Sequence, residues 1–250
     1  MGDVVLQVKG LSKQFGALKA CHDISLEVRR GEIHGLIGPN GAGKSTLIKM
    51  LVGEISSDSG TVSLLGQTLD PLPEAQRVKA GLARTFQVSS IVPEFTAKQN
   101  LQLAEIGASG TQFSFLANPN KDETLNGTIL DLLESCDLAD RADIPVSELS
   151  HGERRQLEVA LALALKPKVL LMDEPMAGMG PDGSKRLTGR LKQLKHQVPI
   201  LLIEHDMDAV FALADRLSVL VYGEIIASGS VTEIRESRIV REAYLGDFAA

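Results

Sequence analysis

The chain has 250 residues, of which 44% are hydrophobic and 23% are charged, and its formal net charge is −6 at pH 7. This composition is that of an ordinary soluble globular protein with one large domain or two small ones. The negative net charge gives no indication of a general basic surface that would bind nucleic acid. No uncharged apolar run approaches the ~20 residues that a membrane span needs. The first ten residues have no signal-peptide pattern, and Cys21 and Cys136 are predicted to be reduced core residues of a cytosolic protein.

Apolar and polar residues alternate twice in the first thirty positions, around Leu6 and again around Leu26. This period of two predicts two half-exposed antiparallel strands. From Glu32 the pattern changes: "EIHGLIG" predicts a short buried strand, and a glycine-rich turn follows it. The next segment, "STLIKMLVG", predicts a helix that ends at Gly53.

The middle of the chain alternates between strand-like and helix-like segments. "SSDSGTVSLLGQ" predicts a turn, a strand and a turn, and "PEAQRVKAG" predicts a short helix before the strand "LARTFQ". Residues 107–124 are rich in Gly, Ser and Asn without a clear period, and they are predicted to form a long loop or insertion. Helices dominate from there to about Leu165.

Two later segments, "KVLLMDEP" and "VPILLIEHD", are apolar runs of strand length that end in acidic residues. Such runs are typical of strands buried on both faces of a parallel sheet. "RLSVLVYGEIIASG" alternates again, and a last helix is predicted near "SRIVREAYLG".

Together these elements predict an α/β fold with a parallel-sheet core, an N-terminal antiparallel β layer and an inserted helical subdomain. The core is expected to comprise residues 1–87 and 156–250, and the helical subdomain residues 88–155. Polar residues follow the strand ends, where open α/β sheets bind ligands.

The turn "GPNGAGKST" fits the phosphate-loop pattern G-x-x-x-x-G-K-[ST] and lies between a predicted strand and a predicted helix. Its glycines allow backbone N–H groups to surround phosphate oxygens, and the helix N-terminus adds its dipole. Lys44 is expected to reach the β- and γ-phosphates, and the Ser45 hydroxyl is expected to bind Mg²⁺. The sequence therefore predicts nucleotide binding.

Four polar residues at strand ends are candidates for the chemistry. Asp173 is predicted to hold Mg²⁺ and Glu174 to activate the attacking water, because neighbouring strand residues point to opposite sides. His205 could contact the γ-phosphate, although a single histidine is more often structural. Gln87 could offer its amide oxygen to Mg²⁺ or to the water, although glutamine at a strand end is ordinarily solvated.

A second glycine-containing turn, "LSHGERRQLE", begins more than a hundred residues after the first. Ser150 and Glu153 have the spacing of a capping box, which needs no ligand. Leu157, Leu161 and Leu165 follow at helical spacing and are expected to pack into the core.

The order of these features along the chain resembles that of the ATP-binding-cassette ATPases. The order is a phosphate loop, a glutamine, "LSHGE", an acidic strand end and a histidine. The resemblance covers essentially all 250 residues, and it implies the P-loop NTPase fold with a RecA-like core. In that family the signature turn completes the nucleotide site of the other subunit, so each of the two turns would belong to a different site of a dimer.

The resemblance assigns roles to individual residues. The nucleotide-binding residues would be Phe15, Gly38, Pro39, Asn40, Gly41, Ala42, Gly43, Lys44, Ser45 and Thr46. The signature turn, which would act on the partner's nucleotide, would be Ser150, His151, Gly152 and Glu153. Gln87, Glu174 and His205 would be catalytic, and Ser45, Gln87 and Asp173 would hold Mg²⁺. Phe15 would stack on adenine, although a core phenylalanine of the β layer fits the same pattern.

The chain departs from the family pattern at three positions. His151 stands for a glycine and Glu153 for a glutamine in the signature turn, and Gly180 stands where the next loop usually has an aspartate. The last departure puts signalling across the dimer at that point in doubt.

Several segments, among them "GLARTFQ", "LLIEHDMD" and "REAYLGD", are similar to the ATPase subunits of branched-chain or hydrophobic amino-acid importers. The alternatives are urea or amide import, lipopolysaccharide export, a soluble cassette acting on DNA or ribosomes, and a degenerate structural cassette. The resemblance implies ATP and Mg²⁺ as cofactors and a second cassette, identical or paralogous, as partner. It also implies membrane permeases, an indirectly coupled periplasmic or surface binding protein, no nucleic acid, and a peripheral location on the cytoplasmic face of the plasma (inner) membrane.

Overall fold

The structure, a computed structural model, describes residues 3–85, 91–109 and 123–245. The strands are β1 (Val4–Phe15), β2 (Leu18–Arg29), β3 (Ile33–Ile37), β4 (Ser59–Leu64), β5 (Gln67–Thr68), β6 (Leu82–Arg84), β7 (Val169–Asp173), β8 (Ile200–Ile203), β9 (Arg216–Val221) and β10 (Glu224–Ser230). The helices are α1 (Lys44–Val52), α2 (Glu74–Ala80), α3 (Ala97–Ser109), α4 (Glu123–Ser135), α5 (His151–Ala164), α6 (Pro181–Leu194), α7 (Met207–Leu213), α8 (Val231–Glu236) and α9 (Arg238–Val240). Short 3₁₀ turns lie at Ala139–Arg141 and Val146–Glu148, and a π-helical turn follows α9 at Arg241–Leu245.

A six-stranded sheet forms the centre of the fold, with the order β10-β9-β3-β8-β7-β6. Five neighbouring strands, from β9 to β6, are parallel, and β10 pairs antiparallel with β9 at one edge. The predicted parallel core is therefore confirmed, with one antiparallel edge strand added.

The sheet is covered on both faces, which explains the continuous apolar runs of its strands. In β7, Leu170 and Met172 pack on the side of α3, α4, α5 and α6, whereas Val169 and Leu171 pack on the side of α1 and the β layer. All five residues of β7 are buried. The first four positions are apolar because two cores share this strand, and the fifth is Asp173.

The N-terminal β layer is a separate antiparallel sheet with the order β2-β1-β4-β5. β1 and β2 form a long hairpin in which Val8 faces Leu26 and Phe15 faces Leu18. Their inner residues, such as Leu6 and Ile24, are fully buried against α1. The two predicted half-exposed strands are confirmed.

The helical segment contains more helical residues than the sequence predicted. α3 continues to Ser109 and α4 begins at Glu123, so the expectation of a loop over residues 107–124 is wrong at both ends. The remaining residues of that expectation, 110–122, lie outside the described residues. α3, α4 and α5 share one apolar core with Leu101, Ile129 and Leu157 at its centre. The helical subdomain of residues 88–155 stays a prediction. Its predicted end at residue 155 falls inside α5, which runs from His151 to Ala164.

The tail also differs from its predicted alternation. Residues 217–221 of β9 are all buried, because β9 lies between β3 and β10 inside the main sheet. The last predicted helix is present as α9 and the π-helical turn after it.

The cysteine prediction is confirmed in its structural part: Cys21 and Cys136 are both buried and form no disulfide. Across residues 3–85, 91–109 and 123–245, none of the helices has the length and apolar character that crossing a membrane requires.

Candidate functional site

The candidate site is built at one edge of the central sheet, where three neighbouring parallel strands end together. β8 lies between β3 and β7, and Ile203 is level with both Leu36 and Asp173. The segments that follow these strands are the phosphate loop, Glu204–His205 and Glu174. Strand pairing therefore brings together groups that are up to about 170 residues apart in sequence.

The phosphate loop needs glycine at two positions because backbone passes close to both. A Cβ on Gly43 would lie 2.3 Å from the Ala20 carbonyl oxygen, and one on Gly38 would lie 2.0 Å from that of Leu220. Gly43 also has φ 108 as the residue that precedes α1. Both glycines are thus required by packing, and Gly43 is also required by its backbone conformation.

The turn between β9 and β10 supports the loop from below. The Gly223 N–H donates to the Ala42 carbonyl at 2.9 Å, and the His22 N–H donates to the Gly223 carbonyl at 2.7 Å. One glycine thus links the loop, the β layer and the last hairpin of the main sheet.

Lys44 lies half-buried at the start of α1 and bonds to its own loop. Its Nζ donates to the carbonyl oxygens of Gly38 at 2.5 Å and Pro39 at 2.9 Å. Burial lowers the pKa of Lys44, and the nearby carboxylates of Glu174 and Asp173 oppose that shift. An incoming phosphate would offer this ammonium group stronger, charge-assisted hydrogen bonds than the two carbonyls do.

A cleft of about 430 Å³ opens over the loop. Its walls include residues that the sequence predicted (Phe15, Asn40, Gly41, Ala42, Gly43, Lys44, Ser45, Thr46 and Glu174) and others that it did not (Leu18, Lys19, Ala20, Tyr222 and Gly223). Phe15 is 48% exposed. A ring that exposed at the mouth of the cleft contradicts the alternative of a core phenylalanine.

The two carboxylates at the end of β7 have different surroundings. Asp173 is 8% exposed, and its Oδ2 accepts from Arg84 Nη2 at 2.9 Å. Arg84 also donates to Glu54 through Nη1 at 2.9 Å. Glu174 has a more exposed side chain at the cleft.

The prediction that strand alternation points Asp173 and Glu174 to opposite sides is wrong. β7 ends at Asp173, and Glu174 has φ 49, so the alternation of a strand does not extend to it. Both carboxylates raise the pKa of Lys44 by their negative charge. The two carboxylates differ in their environments, since Asp173 is buried beside Arg84 and Glu174 lines the cleft.

His205 lies beside Glu174, with 3.5 Å between its Nδ1 and Glu174 Oε1. The same nitrogen is 3.7 Å from Glu204 Oε2. The imidazole is more than half exposed and lies near two carboxylates, one of which, Glu174, lines the cleft.

The available donors fit Mg²⁺, which prefers hard oxygen ligands and keeps several waters in nucleotide sites. Ser45 supplies a hydroxyl in the cleft, and Asp173 keeps Oδ1 clear of its bond to Arg84. Within the described residues, no group of three or more His, Cys, Asp or Glu side chains could hold a metal alone. Two protein oxygens plus phosphate oxygens and water suit Mg²⁺ in such a site. Gln87, the third predicted ligand, lies outside the described residues.

The second turn has the predicted capping box. The Glu153 N–H donates to Ser150 Oγ at 3.3 Å, and the Ser150 N–H donates to Glu153 Oε2 at 2.7 Å. These bonds lower the pKa of Glu153, to which Arg141 also donates. Leu157 and Leu161 are buried as predicted, whereas Leu165 is half-buried at the end of the helix.

The turn is joined to the segment after β7 of its own chain. His151 Nε2 is 3.2 Å from the Ala177 carbonyl oxygen, and a Cβ on Gly178 would lie 2.9 Å from the same nitrogen. Of the described residues that line the cleft, none belongs to residues 150–153. Within one chain, the two glycine-containing turns thus lie on different surfaces.

Two residues near the site escaped the sequence analysis. Arg84, in "LARTFQ", joins Asp173 to Glu54, and Glu204, in "LLIEHD", is 1% exposed directly after β8. An acid that follows a buried strand is common in sequences, and no signal showed that this one stays buried.

Comparisons with known proteins agree with this geometry. Residues 21–177 match the protein-family model described as "ABC transporter", and residues 224–250 match one described as "Branched-chain amino acid ATP-binding cassette transporter". The chain is 38% identical over 254 residues to the high-affinity branched-chain amino acid transport ATP-binding protein LivG of Salmonella typhimurium, covering 99% of this chain and 100% of that protein. It is 37% identical over 251 residues to Nod factor export ATP-binding protein I of Bradyrhizobium diazoefficiens, covering 99% and 78%. A solved ATP-binding cassette of an ABC transporter, in its ADP conformation, superposes with a TM-score of 0.86 at 31% identity, covering 98% and 99% of the two chains.

The loop geometry predicts that Lys44 carries nucleotide affinity. Lys44→Ala should weaken ATP binding by roughly 10- to 100-fold, the value of a lost charge-assisted hydrogen bond, in calorimetric titration. Lys49→Ala is the matched control, because Lys49 lies on the exposed face of the same helix. Equal losses of affinity in both variants would contradict a specific role for Lys44.

Proposed function

The chain belongs to the ABC transporter family of ATP-binding proteins, and from that premise we propose that it powers the import of branched-chain or other hydrophobic amino acids. Its reaction is the hydrolysis of ATP at the cleft over the phosphate loop. The match of residues 224–250 to the branched-chain amino acid cassette model carries the proposed substrate class.

Export is the second candidate, because the similarity to a Nod factor export protein is nearly as high. Two observations favour import. The chain covers the whole length of LivG but 78% of the export protein, and the tail of the chain has its own match to the amino-acid cassette model. Import of urea or amides and export of lipopolysaccharide remain alternatives that the sequence raised.

In the proposed mechanism, Phe15 stacks on the adenine and the loop N–H groups surround the phosphates. Lys44 exchanges its bonds to Gly38 and Pro39 for the β- and γ-phosphates. Mg²⁺, held by Ser45, Asp173 and also Gln87 when bound, would neutralise charge on the phosphate oxygens.

Glu174 is the proposed general base. Its carboxylate takes a proton from the water that attacks the γ-phosphorus, while the bond to the leaving oxygen of ADP breaks. His205, 3.5 Å from this carboxylate, is proposed to contact the γ-phosphate and to limit the orientations of Glu174. Gln87 is proposed to assist at the same water.

The signature turn is proposed to act on the nucleotide of a second subunit. Ser150 caps α5, and His151, Gly152 and Glu153 form its first turn, where the helix dipole favours a phosphate. The turn does not line the cleft of its own chain, which supports action in trans.

The proposed partners follow from this arrangement. They are a second cassette, identical or paralogous, and membrane permeases that this subunit joins at the cytoplasmic face of the membrane. A periplasmic or surface binding protein would be coupled indirectly, and no nucleic acid is expected.

The first prediction from this proposed function concerns the general base. Glu174→Gln should retain ATP affinity while hydrolysis falls by about 10²- to 10⁴-fold, because the amide cannot accept the proton of water. The uncleaved nucleotide should also favour a stable dimer, measured by size-exclusion chromatography with ATP. Turnover near the wild-type rate would remove Glu174 from the mechanism.

The second prediction concerns the shared site. Lys44→Ala disables the phosphate loop, and Ser150→Arg places bulk and charge on the signature turn. A mixed dimer of the two inactive variants contains one site with both changes and one intact site. Mixing should therefore restore ATPase activity up to about a quarter of the wild-type value, if subunits exchange and sites act independently. As a companion measurement, specific activity should fall on dilution into the monomeric range; constant activity per molecule would rule out a shared site.

The third prediction concerns the transported substrate. Deleting this subunit from its host should abolish uptake of radiolabelled leucine, isoleucine and valine, and the wild-type chain should restore it. The Lys44→Ala chain should not restore uptake, whereas Lys49→Ala should. Unchanged uptake of all three amino acids in the deletion strain would instead favour another substrate or export.

A further inference from the structure

The side chain of Glu204 is a buried carboxylate directly behind the proposed catalytic residues. It is 1% exposed and follows the last residue of β8. A carboxylate in such a position is unfavourable unless its oxygens are hydrogen-bonded. Each oxygen has a backbone partner: Oε1 accepts from the Met176 N–H at 2.9 Å, and Oε2 accepts from the His205 N–H at 3.0 Å.

These two N–H groups belong to the two segments that carry the catalytic pair. Met176 follows Glu174 by two residues in a turn that is closed by the bond from the Ala177 N–H to the Glu174 carbonyl at 3.1 Å. His205 itself provides the imidazole beside Glu174. One buried side chain thus joins the turn after β7 to the residue after β8.

The backbone of Glu174 needs such support. Its φ of 49 lies in the left-handed region, which is unfavourable for a residue with a side chain. The Glu174 N–H donates to the Ile203 carbonyl at 2.8 Å, which fixes one end of the turn. The Glu204 carboxylate fixes the other end through Met176.

We propose that Glu204 is a positioning residue: its two hydrogen bonds, to the N–H groups of Met176 and His205, hold Glu174 and His205 in the geometry needed for hydrolysis. This inference rests on the proposed function, because it acts through Glu174 as general base. Glu204 is only 1% exposed, so its proposed role is to position its neighbours and not to touch the nucleotide.

The isosteric change Glu204→Gln tests this role. It replaces one acceptor oxygen by an NH₂ group, so one of the two backbone N–H groups loses its partner. The rate of ATP hydrolysis should fall by about 10- to 100-fold, the usual effect of losing a supporting hydrogen bond behind a reactive group, while the Kd for ATP stays within about twofold. A Kd that rises as much as the rate falls would contradict positioning of the catalytic pair.

Glu105→Gln is the matched control. Glu105 is a buried carboxylate on α3, away from the cleft, and it pairs with Lys166 at 3.3 Å. The same chemical change there should leave the rate and the ATP affinity unchanged. If Glu204→Gln lowers the rate no more than Glu105→Gln does, the proposed role of Glu204 is wrong.

A combined variant separates positioning from general destabilisation. Because Glu204 acts through Glu174 and His205, adding Glu204→Gln to a variant that carries both Glu174→Gln and His205→Ala should leave the single-turnover rate at the level of that variant alone. A further loss of 10-fold or more would overturn the inference. If Glu204→Gln does not fold, Glu204→Asp replaces it, since the shorter side chain keeps the charge but cannot reach both N–H groups.

The two proposals fail in different ways. A Glu174→Gln variant with wild-type turnover would contradict the proposed base, whatever the effect of Glu204→Gln. An impaired Glu174→Gln beside a fully active Glu204→Gln would contradict the inference about Glu204 alone.

Discussion

The site depends on the parallel pairing of β8 with β3 on one side and β7 on the other. Because Ile203 is level with Leu36 and Asp173, the segments after the three strands begin at the same height above the sheet. A slip of one residue in either pairing would move the phosphate loop relative to the carboxylates and turn buried side chains the wrong way. The apolar residues of β7 and β8 fix this register through two separate cores, one on each face of the sheet.

The sequence was sufficient for the features that depend on local pattern. The phosphate loop, the helix that ends at Gly53, the capping box of Ser150 and the buried strands were predictable, because a few neighbouring residues determine each of them. The left-handed backbone of Glu174 and the partners of Arg84 and Glu204 were not. Arg84 and Glu204 pair with residues 89 and 28 positions away, respectively, and such pairings follow from the assembled sheet.

His151 belongs to the second glycine-containing turn of this chain. Its Nε2 lies 3.2 Å from the Ala177 carbonyl oxygen, in the turn that also carries Glu174. Gly180 precedes α6 and gives it no side-chain cap. The imidazole thus provides, inside one subunit, a polar link between the signature turn and the segment after β7. A shift of α5 against a partner's nucleotide would act on that segment through this link.

The support of the phosphate loop by Gly223 has a consequence for biosynthesis. The loop is translated early, yet it rests on a turn near the end of the chain, and the strand before it pairs with β9. A ribosome-bound chain that ends before residue 223 has the whole phosphate-loop motif but lacks the hydrogen bond from the Gly223 N–H to the Ala42 carbonyl. The nucleotide site therefore matures late, after contacts between distant parts of the chain have formed.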